Sequence, residues 1–181
     1  MTRITTLRIR DWGWARYLRA PALEQLAIGE ANPPDGDYLS DIICPFVTVH
    51  HLALFAPCDV VELEAITQLI NLTTLELCAT TWAEIESSGE LSETFFAAVV
   101  NFERPVWPKL KHMHLDTGFD KAPVPDKGLA TFLRLRNETA VTELEGVSIS
   151  RIETVKLGYK ALEWLIREVE RRTTTLHQTQ M

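Results

Sequence analysis

The chain has 181 residues, 46% hydrophobic and 24% charged, which is the composition of an ordinary soluble globular protein that can bury a substantial core. Its 25 acidic and 18 basic side chains give a formal charge of -7 with no basic cluster, so we expect neither nucleic acid nor an anionic membrane surface as its partner. Three cysteines without zinc-ligand or disulfide spacing, no signal segment and no run of about 18 apolar residues predict an intracellular protein, cytoplasmic or nuclear.

One spacing of apolar residues recurs along the chain and predicts its architecture. Its clearest copy lies in residues 71–78, where Leu72, Leu75 and Leu77 have the spacing L-x-x-L-x-L. In a leucine-rich repeat this spacing belongs to a short strand, whose leucines enter a solenoid core while the residues between them point to an open face. The same spacing predicts further strands over 4–9, 23–28, 49–54 and 110–115.

The first half of the chain alternates these strands with turns and helices. The first strand begins almost at the N-terminus without a polar cap, so we expect that upstream sequence is missing. A turn cluster at 32–36 follows the second strand. After the third strand, Asp59 is the predicted N-cap of a helix that ends near residue 70. The predicted buried stripe of this helix is Leu63, Ile66, Leu69 and Ile70.

Three more helices are predicted in the second half. The first covers about 91–102, the second is capped by Asp126, and the third starts near Gly158 and covers the end of the array. Residues 173–181 are predicted to be a disordered tail. The apolar faces of the three helices are Leu91, Phe95, Phe96, Val99 and Phe102, then Leu129, Phe132, Leu133 and Leu135, then Leu162, Trp164, Leu165, Ile166 and Val169.

A sixth strand is predicted between residues 141 and 149, in one of two registers. Either Leu144, Val147 and Ile149 are its core residues, or Val141 and Leu144 are the first two of them. In the first register the middle core positions of successive strands lie 19, 26, 23, 38 and 34 residues apart. We therefore predict an α/β leucine-rich repeat solenoid over residues 1–172, a horseshoe segment of about six irregular repeats with a parallel concave sheet and convex helices.

Three segments carry a resemblance to a known family: 21–26, 71–77 and 107–115, the last with a Trp-Pro-x-Leu sequence before its strand. In them the chain resembles the irregular, ribonuclease-inhibitor-like leucine-rich repeat regions of fungal F-box proteins. The resemblance implies substrate recognition in a ubiquitin-ligase receptor, although the sequence shows no F-box segment to dock the ligase adaptor. Many such repeats have an asparagine after the leucines, and the residues at that position here are Gly29, Phe55, Cys78 and Asp116.

The residues between the core leucines are predicted to form three rows on the open face, because side chains alternate along a strand. A mixed polar surface of this kind suits a protein or peptide partner, and histidines within it would make binding depend on pH between about 5 and 7. We expect a non-catalytic binding module without a cofactor, monomeric unless its bare N-terminal end pairs. The rows are Thr6, Gln25, His51, Thr74 and His112; Arg8, Ala27, Ala53, Glu76 and His114; and Arg10, Gly29, Phe55, Cys78 and Asp116. The predicted partner-binding residues are Arg8, Gln25, His51, Phe55, Thr74, Glu76, His112, His114 and Asp116.

The alternative is a doubly wound α/β enzyme with a weak metal site made by His112, His114 and Glu76. His51 is separated from His112 by the strand of Thr74, about 9 to 10 Å at the usual strand spacing, which is too far to complete a tight site. A doubly wound sheet also requires Val/Ile-rich strands and a glycine-rich first turn, which the sequence lacks. No nucleotide-binding glycine motif and no nucleophile with a base at motif spacing is present, so catalysis is not expected.

Overall fold

The structure is a computed structural model, and it describes residues 4–9, 20–28, 47–55, 66–78, 96–97, 99–102, 106–116, 127–138, 143–144, 146–158 and 163–178. It has an α/β fold with short strands and helices; two helices have described bounds, and residues 66–67, 96–97 and 99–100 are also helical. The strands are β1 Thr6–Ile9, β2 Gln25–Ile28, β3 His51–Leu54, β4 Thr74–Cys78, β5 His112–Asp116, β6 Glu143–Leu144, β7 Val147–Ser148, β8 Thr154–Leu157 and β9 Thr175–Gln178. The helices are α1 Lys127–Glu138 and α2 Glu163–Arg172.

Seven strands form one parallel sheet in the order β1-β2-β3-β4-β5-β8-β9. Each strand therefore pairs with the strand that precedes it and the one that follows it among the seven, and the order contains no reversal. The middle core residues are in register across the sheet, from Leu7 at one edge to Leu176 at the other. The five strands predicted at the start of the chain lie in this sheet, at the predicted places and in the predicted register.

One side of the sheet is the core. Three apolar residues at the recurring spacing accompany each strand from β2 to β5 and also β8, and all of them are buried. The second and third residues of each triplet lie within the strand and point to the same side because side chains alternate, while the first residue lies just before the strand. These triplets are Leu23, Leu26 and Ile28; Val49, Leu52 and Leu54; Leu72, Leu75 and Leu77; Leu110, Met113 and Leu115; and Ile152, Val155 and Leu157.

The same backbone hydrogen bonds recur where each strand begins. The amides of Glu24 and Gln25 both donate to the carbonyl oxygen of Thr5, and those of His50 and His51 both donate to that of Glu24. Equivalent pairs start β4, β5 and β8, where the shared acceptors are the carbonyls of His50, Thr73 and Lys111. The chain therefore joins the sheet in the same way five times, and this fixes the register from strand to strand.

The two helices cover the core side. Buried residues of α1 and α2 belong to the same apolar cluster as the strand leucines. The sequence predicted three buried side chains on the helices that are exposed instead, by 46% at Leu135, 38% at Trp164 and 54% at Ile70. The buried stripe of the helices is thus narrower than predicted, because these three side chains lie outside the apolar cluster. Leu63, Leu91, Phe95 and Leu162 lie outside the described residues.

The prediction of a sixth repeat strand within residues 141–149 is wrong. Glu143–Leu144 and Val147–Ser148 form a small antiparallel hairpin, separate from the main sheet, around Gly146 with its positive φ of 78°. The sixth strand of the main sheet is β8, whose triplet Ile152, Val155 and Leu157 has the same spacing as the earlier ones.

The prediction of a disordered tail is also wrong for residues 175–178, which form β9 and pair in parallel with β8. The amide of Thr174 donates to the carbonyl of Glu153, so the chain joins the sheet here as it does before the earlier strands. Little in the residue pattern indicates this strand, since Leu176 is the one large apolar residue in it.

Two adjacent side chains on α1 link it by hydrogen bonds to backbone carbonyls in separate later and earlier segments. Arg136 is buried, and its guanidinium donates to the carbonyl oxygens of Ser150 at 2.9 Å, Val106 at 3.2 Å and Trp107. Burial lowers its pKa to about 10, so it stays charged at neutral pH. Asn137 donates to the carbonyls of Ile152 and Arg172 and accepts from the Ile152 amide at 2.8 Å.

Among the described residues, Trp107 has the largest fully buried side chain. Its indole Nε1–H donates to the carbonyl oxygen of Ile66 at 2.9 Å, and its backbone has a φ of 51°, in the left-handed region. Trp164 on α2 is 38% exposed, while Trp12 and Trp82 lie outside the described residues.

Candidate functional site

The side of the sheet opposite the core is the candidate site, which we call the open face. Its first two rows have the register that the sequence predicted, because the pairing of neighbouring strands aligns residues of the same parity. The first row is Thr6, Gln25, His51, Thr74 and His112, extended by Thr154 and Thr175. The second row is Arg8, Ala27, Ala53, Glu76 and His114, extended by Lys156 and His177.

The third predicted row is described only in part. Cys78 and Asp116 are register partners at the ends of β4 and β5. Phe55 follows β3, and its amide donates to the carbonyl of Ile28 at 2.8 Å. Arg10 and Gly29 lie outside the described residues.

At the β1 end of the open face, Arg8 and Phe55 contact each other across an intervening strand. The guanidinium carbon of Arg8 lies 5.0 Å from the centre of the Phe55 ring, which is the geometry of a cation–π contact. The two strands are separated by β2, about 10 Å in all. The β2 residue in register with Arg8 is Ala27, whose small side chain leaves the long arginine side chain free to cross. Ala27 is in turn in register with Ala53 on β3, so two small residues stand side by side in this part of the second row.

In the middle of the face, His51 on β3 and Glu76 on β4 form a second cross-strand pair. His51 Nε2 lies 3.3 Å from Glu76 Oε1, and the two side chains are 34% and 30% exposed. Glu76 is in register with Ala53, which again leaves room for a longer neighbour to lean across. The carboxylate of Glu76 thus reaches toward His51 and away from β5.

At the β8 end, His112 and Thr154 are register partners and their side chains are hydrogen-bonded, with 2.7 Å between His112 Nδ1 and Thr154 Oγ1. The half-buried His114 stands in register between Glu76 on β4 and the exposed Lys156 on β8. Lys156 and Thr154 were missed by the sequence reasoning, because the sixth strand was assigned to the hairpin segment. The signal that could have found them is the spacing of Ile152, Val155 and Leu157.

One ion pair borders the open face where β5 and β8 begin. Lys111 Nζ lies 2.8 Å from Glu153 Oε1. The hydrogen bond from Lys111 lowers the pKa of the Glu153 carboxyl, and the charges of Lys111 and His112 act in the same direction. The Glu153 carboxylate is therefore partnered by Lys111 and also interacts with the nearby His112.

The metal hypothesis concerned His112, His114 and Glu76. Within the part of the chain that the structure describes, no group of three or more histidine, cysteine, aspartate or glutamate side chains is arranged to hold a metal ion. The contacts of these residues explain why their side chains do not converge on one point, since Glu76 pairs with His51 and His112 pairs with Thr154.

Comparison of the chain with models of protein families, with curated proteins and with solved structures found no significant match. Among the described residues, no helix is both long enough and apolar enough to cross a membrane.

Proposed function

We propose that this chain is a non-catalytic protein-binding module, an irregular leucine-rich repeat solenoid whose open face contacts a protein or peptide partner. The observation that carries the proposal is the asymmetry of the sheet. All-parallel sheets are usually covered on both faces. Here α1 and α2 pack on the core side, while Thr6, Gln25 and His112 on the open face are exposed and polar. A parallel sheet with one polar face is typical of a horseshoe solenoid.

Two further observations support the solenoid. The five buried triplets keep one spacing, and five strands begin with the same shared carbonyl acceptor. Neighbours in the sheet are also successive in the chain among the seven strands that form it, as expected when each repeat contacts only the adjacent ones.

The strand order also favours the solenoid over a doubly wound enzyme. In a doubly wound sheet the strand order reverses, and the ligand binds at the point of reversal. The order β1-β2-β3-β4-β5-β8-β9 has no such point. We therefore place the candidate function on the face of the sheet and not at the carboxyl ends of its strands.

Within this class of module, we propose substrate recognition for an F-box-type ubiquitin ligase, on the basis of the family resemblance of 21–26, 71–77 and 107–115. A partner that binds the open face should then be ubiquitylated in cells and should lose that modification when the gene is deleted. A partner whose ubiquitylation does not change on deletion would contradict this part of the proposal.

The test of the binding proposal is quantitative affinity capture from an extract with Glu76→Arg, which reverses a charge in the middle of the open face. The matched control is Glu170→Arg, the same change on an exposed position of α2. Since α2 packs on the core side, its outward residues lie away from the open face. We expect Glu76→Arg to deplete specific partners that Glu170→Arg retains. An identical partner set for both variants would contradict the proposal.

The enzyme alternative is tested by metal analysis of the purified protein and of a His112→Ala, His114→Ala variant. Stoichiometric metal in the wild type that is lost in the variant, together with hydrolytic activity, would favour the enzyme and count against the binding module.

A further inference from the structure

The histidines of this chain are concentrated on the open face. The chain has five histidines, and four of them, His51, His112, His114 and His177, occupy register positions of the first two open-face rows. Three of these four lie on β5 and β9, on either side of Lys156 in the sheet order. On β5 and β8 the open face therefore carries His112, His114 and Lys156, groups that are cationic or can become cationic in mildly acidic solution.

Negative charge is scarce on the same part of the face. Glu76 is the acidic residue of the second row, and its carboxylate is 3.3 Å from His51. Glu153 at the border is held by Lys111 at 2.8 Å. Asp116 occupies a register position at the far end of β5. The chain as a whole has a formal charge of -7, so this basic region contrasts with the rest of the molecule.

We propose that the surface formed by His112, His114 and Lys156 binds an acidic segment of a protein partner through its aspartate or glutamate carboxylates, and that binding strengthens as the pH falls. This inference rests on the proposed binding function and names the partner chemistry for the same face. Charge complementarity supports it: Lys156 is an exposed cation with no acidic residue in register beside it, because its row neighbours are His114 and His177.

The sign of the pH dependence follows from linkage. A carboxylate next to an imidazole favours the protonated imidazole, so binding of an acidic segment takes up protons at His112 and His114. Proton uptake on binding means that affinity is highest when the histidines are already protonated, and that it falls as the pH rises from about 5.5 to about 7.5.

The charged groups that face these two histidines do not oppose this direction. His112 faces Thr74 on β4 and Thr154 on β8, with the Lys111–Glu153 pair beside it. His114 faces Glu76 and Lys156, which carry opposite charges. A bound carboxylate would therefore be the main new charge that either imidazole meets.

The experiment starts with an unbiased probe. Random peptides displayed on phage are selected on the full chain near pH 6, and the recovered peptides are then tested against Lys156→Glu. The control is Lys127→Glu, the same charge change at the exposed start of α1, on the core side of the molecule. We expect the recovered peptides to be enriched in aspartate and glutamate, to bind Lys156→Glu about tenfold more weakly, and to bind Lys127→Glu as they bind the wild type.

The second measurement is the affinity of one recovered peptide, by fluorescence anisotropy, at about pH 5.5 and about pH 7.5. We expect several-fold tighter binding at the lower pH, and we expect the His112→Gln, His114→Gln variant to lose that difference while keeping its fold by circular dichroism. An acidic peptide whose affinity is the same at both pH values would overturn the pH dependence.

The remaining outcomes separate this inference from the proposed function. Neutral or basic peptides that lose binding with Glu76→Arg would overturn the acidic-partner inference and leave the binding function standing. Peptides that ignore every open-face substitution would overturn both. An oligothymidylate that competes with the peptides and depends equally on Lys156 would overturn the acidic peptide in favour of a polyphosphate ligand.

Discussion

The two faces of the same strands follow opposite rules. On the core side, Leu52 and Leu75 are in register and chemically alike, and both are fully buried. On the open face, residues one position away, such as Ala53 and Glu76, are in register and chemically different. The core side repeats because every strand must fill the same space between sheet and helices. The open face need not repeat, because nothing in the fold requires a particular side chain there.

Because neighbouring residues of a strand point to opposite faces, positions that stabilise the fold and positions available for recognition lie next to each other in the sequence. A substitution on the core side should change the free energy of unfolding, and one on the open face should change binding with little effect on stability. Each of the following substitutions tests this separation, beginning with the largest expected effect.

Trp107 and Trp164 are matched tryptophans, one on the core side and one largely outside it. We expect Trp107→Ala to lower the free energy of unfolding by about 3 to 5 kcal/mol, because it removes a fully buried ring and leaves the Ile66 carbonyl without its donor. Trp164→Ala, at a side chain 38% exposed and outside the apolar cluster, should cost less, about 1 to 2 kcal/mol. Urea unfolding followed by far-UV circular dichroism measures both. Equal losses of unfolding free energy would contradict the assignment of Trp107 to the core and of Trp164 to its edge.

Leu75 and Glu76 are neighbours in β4 that point to opposite faces. Leu75→Ala should cost about 2 to 4 kcal/mol of unfolding free energy, since it leaves a cavity between the register partners Leu52 and Met113. Glu76→Ala should change stability by no more than about 0.5 to 1 kcal/mol, because it removes one half-exposed pair with His51. If Glu76→Ala destabilised the protein as much as Leu75→Ala, the open face would be part of the core and the comparison would fail.

The side-chain amides of Asn137 and Asn71 each bridge separate parts of the chain, but that of Asn137 is buried and that of Asn71 lies near solvent. Asn137→Ala should cost about 2 to 3 kcal/mol, because it leaves the Ile152 amide and two carbonyls without their partner. Asn71 donates to the Val47 carbonyl at 2.8 Å and accepts from Lys109 Nζ at 2.7 Å, but near solvent, so Asn71→Ala should cost about 0.5 to 1 kcal/mol. Water can replace the lost partners at the rim and not in the interior. Thermal unfolding of the two variants side by side tests the difference.

The smallest effect concerns Glu153 at the border of the open face. Because the hydrogen bond from Lys111 lowers its pKa below the usual 4.5, its contribution to stability is present above that value and is lost as the pH falls through the folded-state pKa. Lys111→Gln should therefore move the Glu153 titration, followed by carboxyl-carbon NMR, to higher pH. The control is Lys156→Gln, which leaves Lys111 in place. A Glu153 titration that stays unchanged in Lys111→Gln would show that the ion pair does not form in solution.

The first five strands could be predicted because their information is local. Leucines at L-x-x-L-x-L spacing indicate both that a segment is a strand and which of its faces is buried. The open-face rows that contain Arg8 and His51 then follow from the alternation of side chains alone. The sixth strand was misplaced because Val147 and Ile149 imitate the spacing in a segment that turns back at Gly146 into a hairpin. Local spacing cannot distinguish a strand that joins the sheet from one that pairs with its neighbour.

The sequence by itself determined the side of the sheet on which each residue of the first five strands lies, since alternation needs no knowledge of distant parts of the chain. Only the tertiary structure decided that β9 joins the sheet, since a strand such as Thr175–Gln178 with few apolar residues forms when a paired edge is already beside it. It also decided which side chains lean across their strand, as Arg8 does toward Phe55 and Glu76 toward His51. Those contacts depend on small register partners from separate parts of the sequence: Ala27 stands beside Arg8, and Ala53 stands beside Glu76.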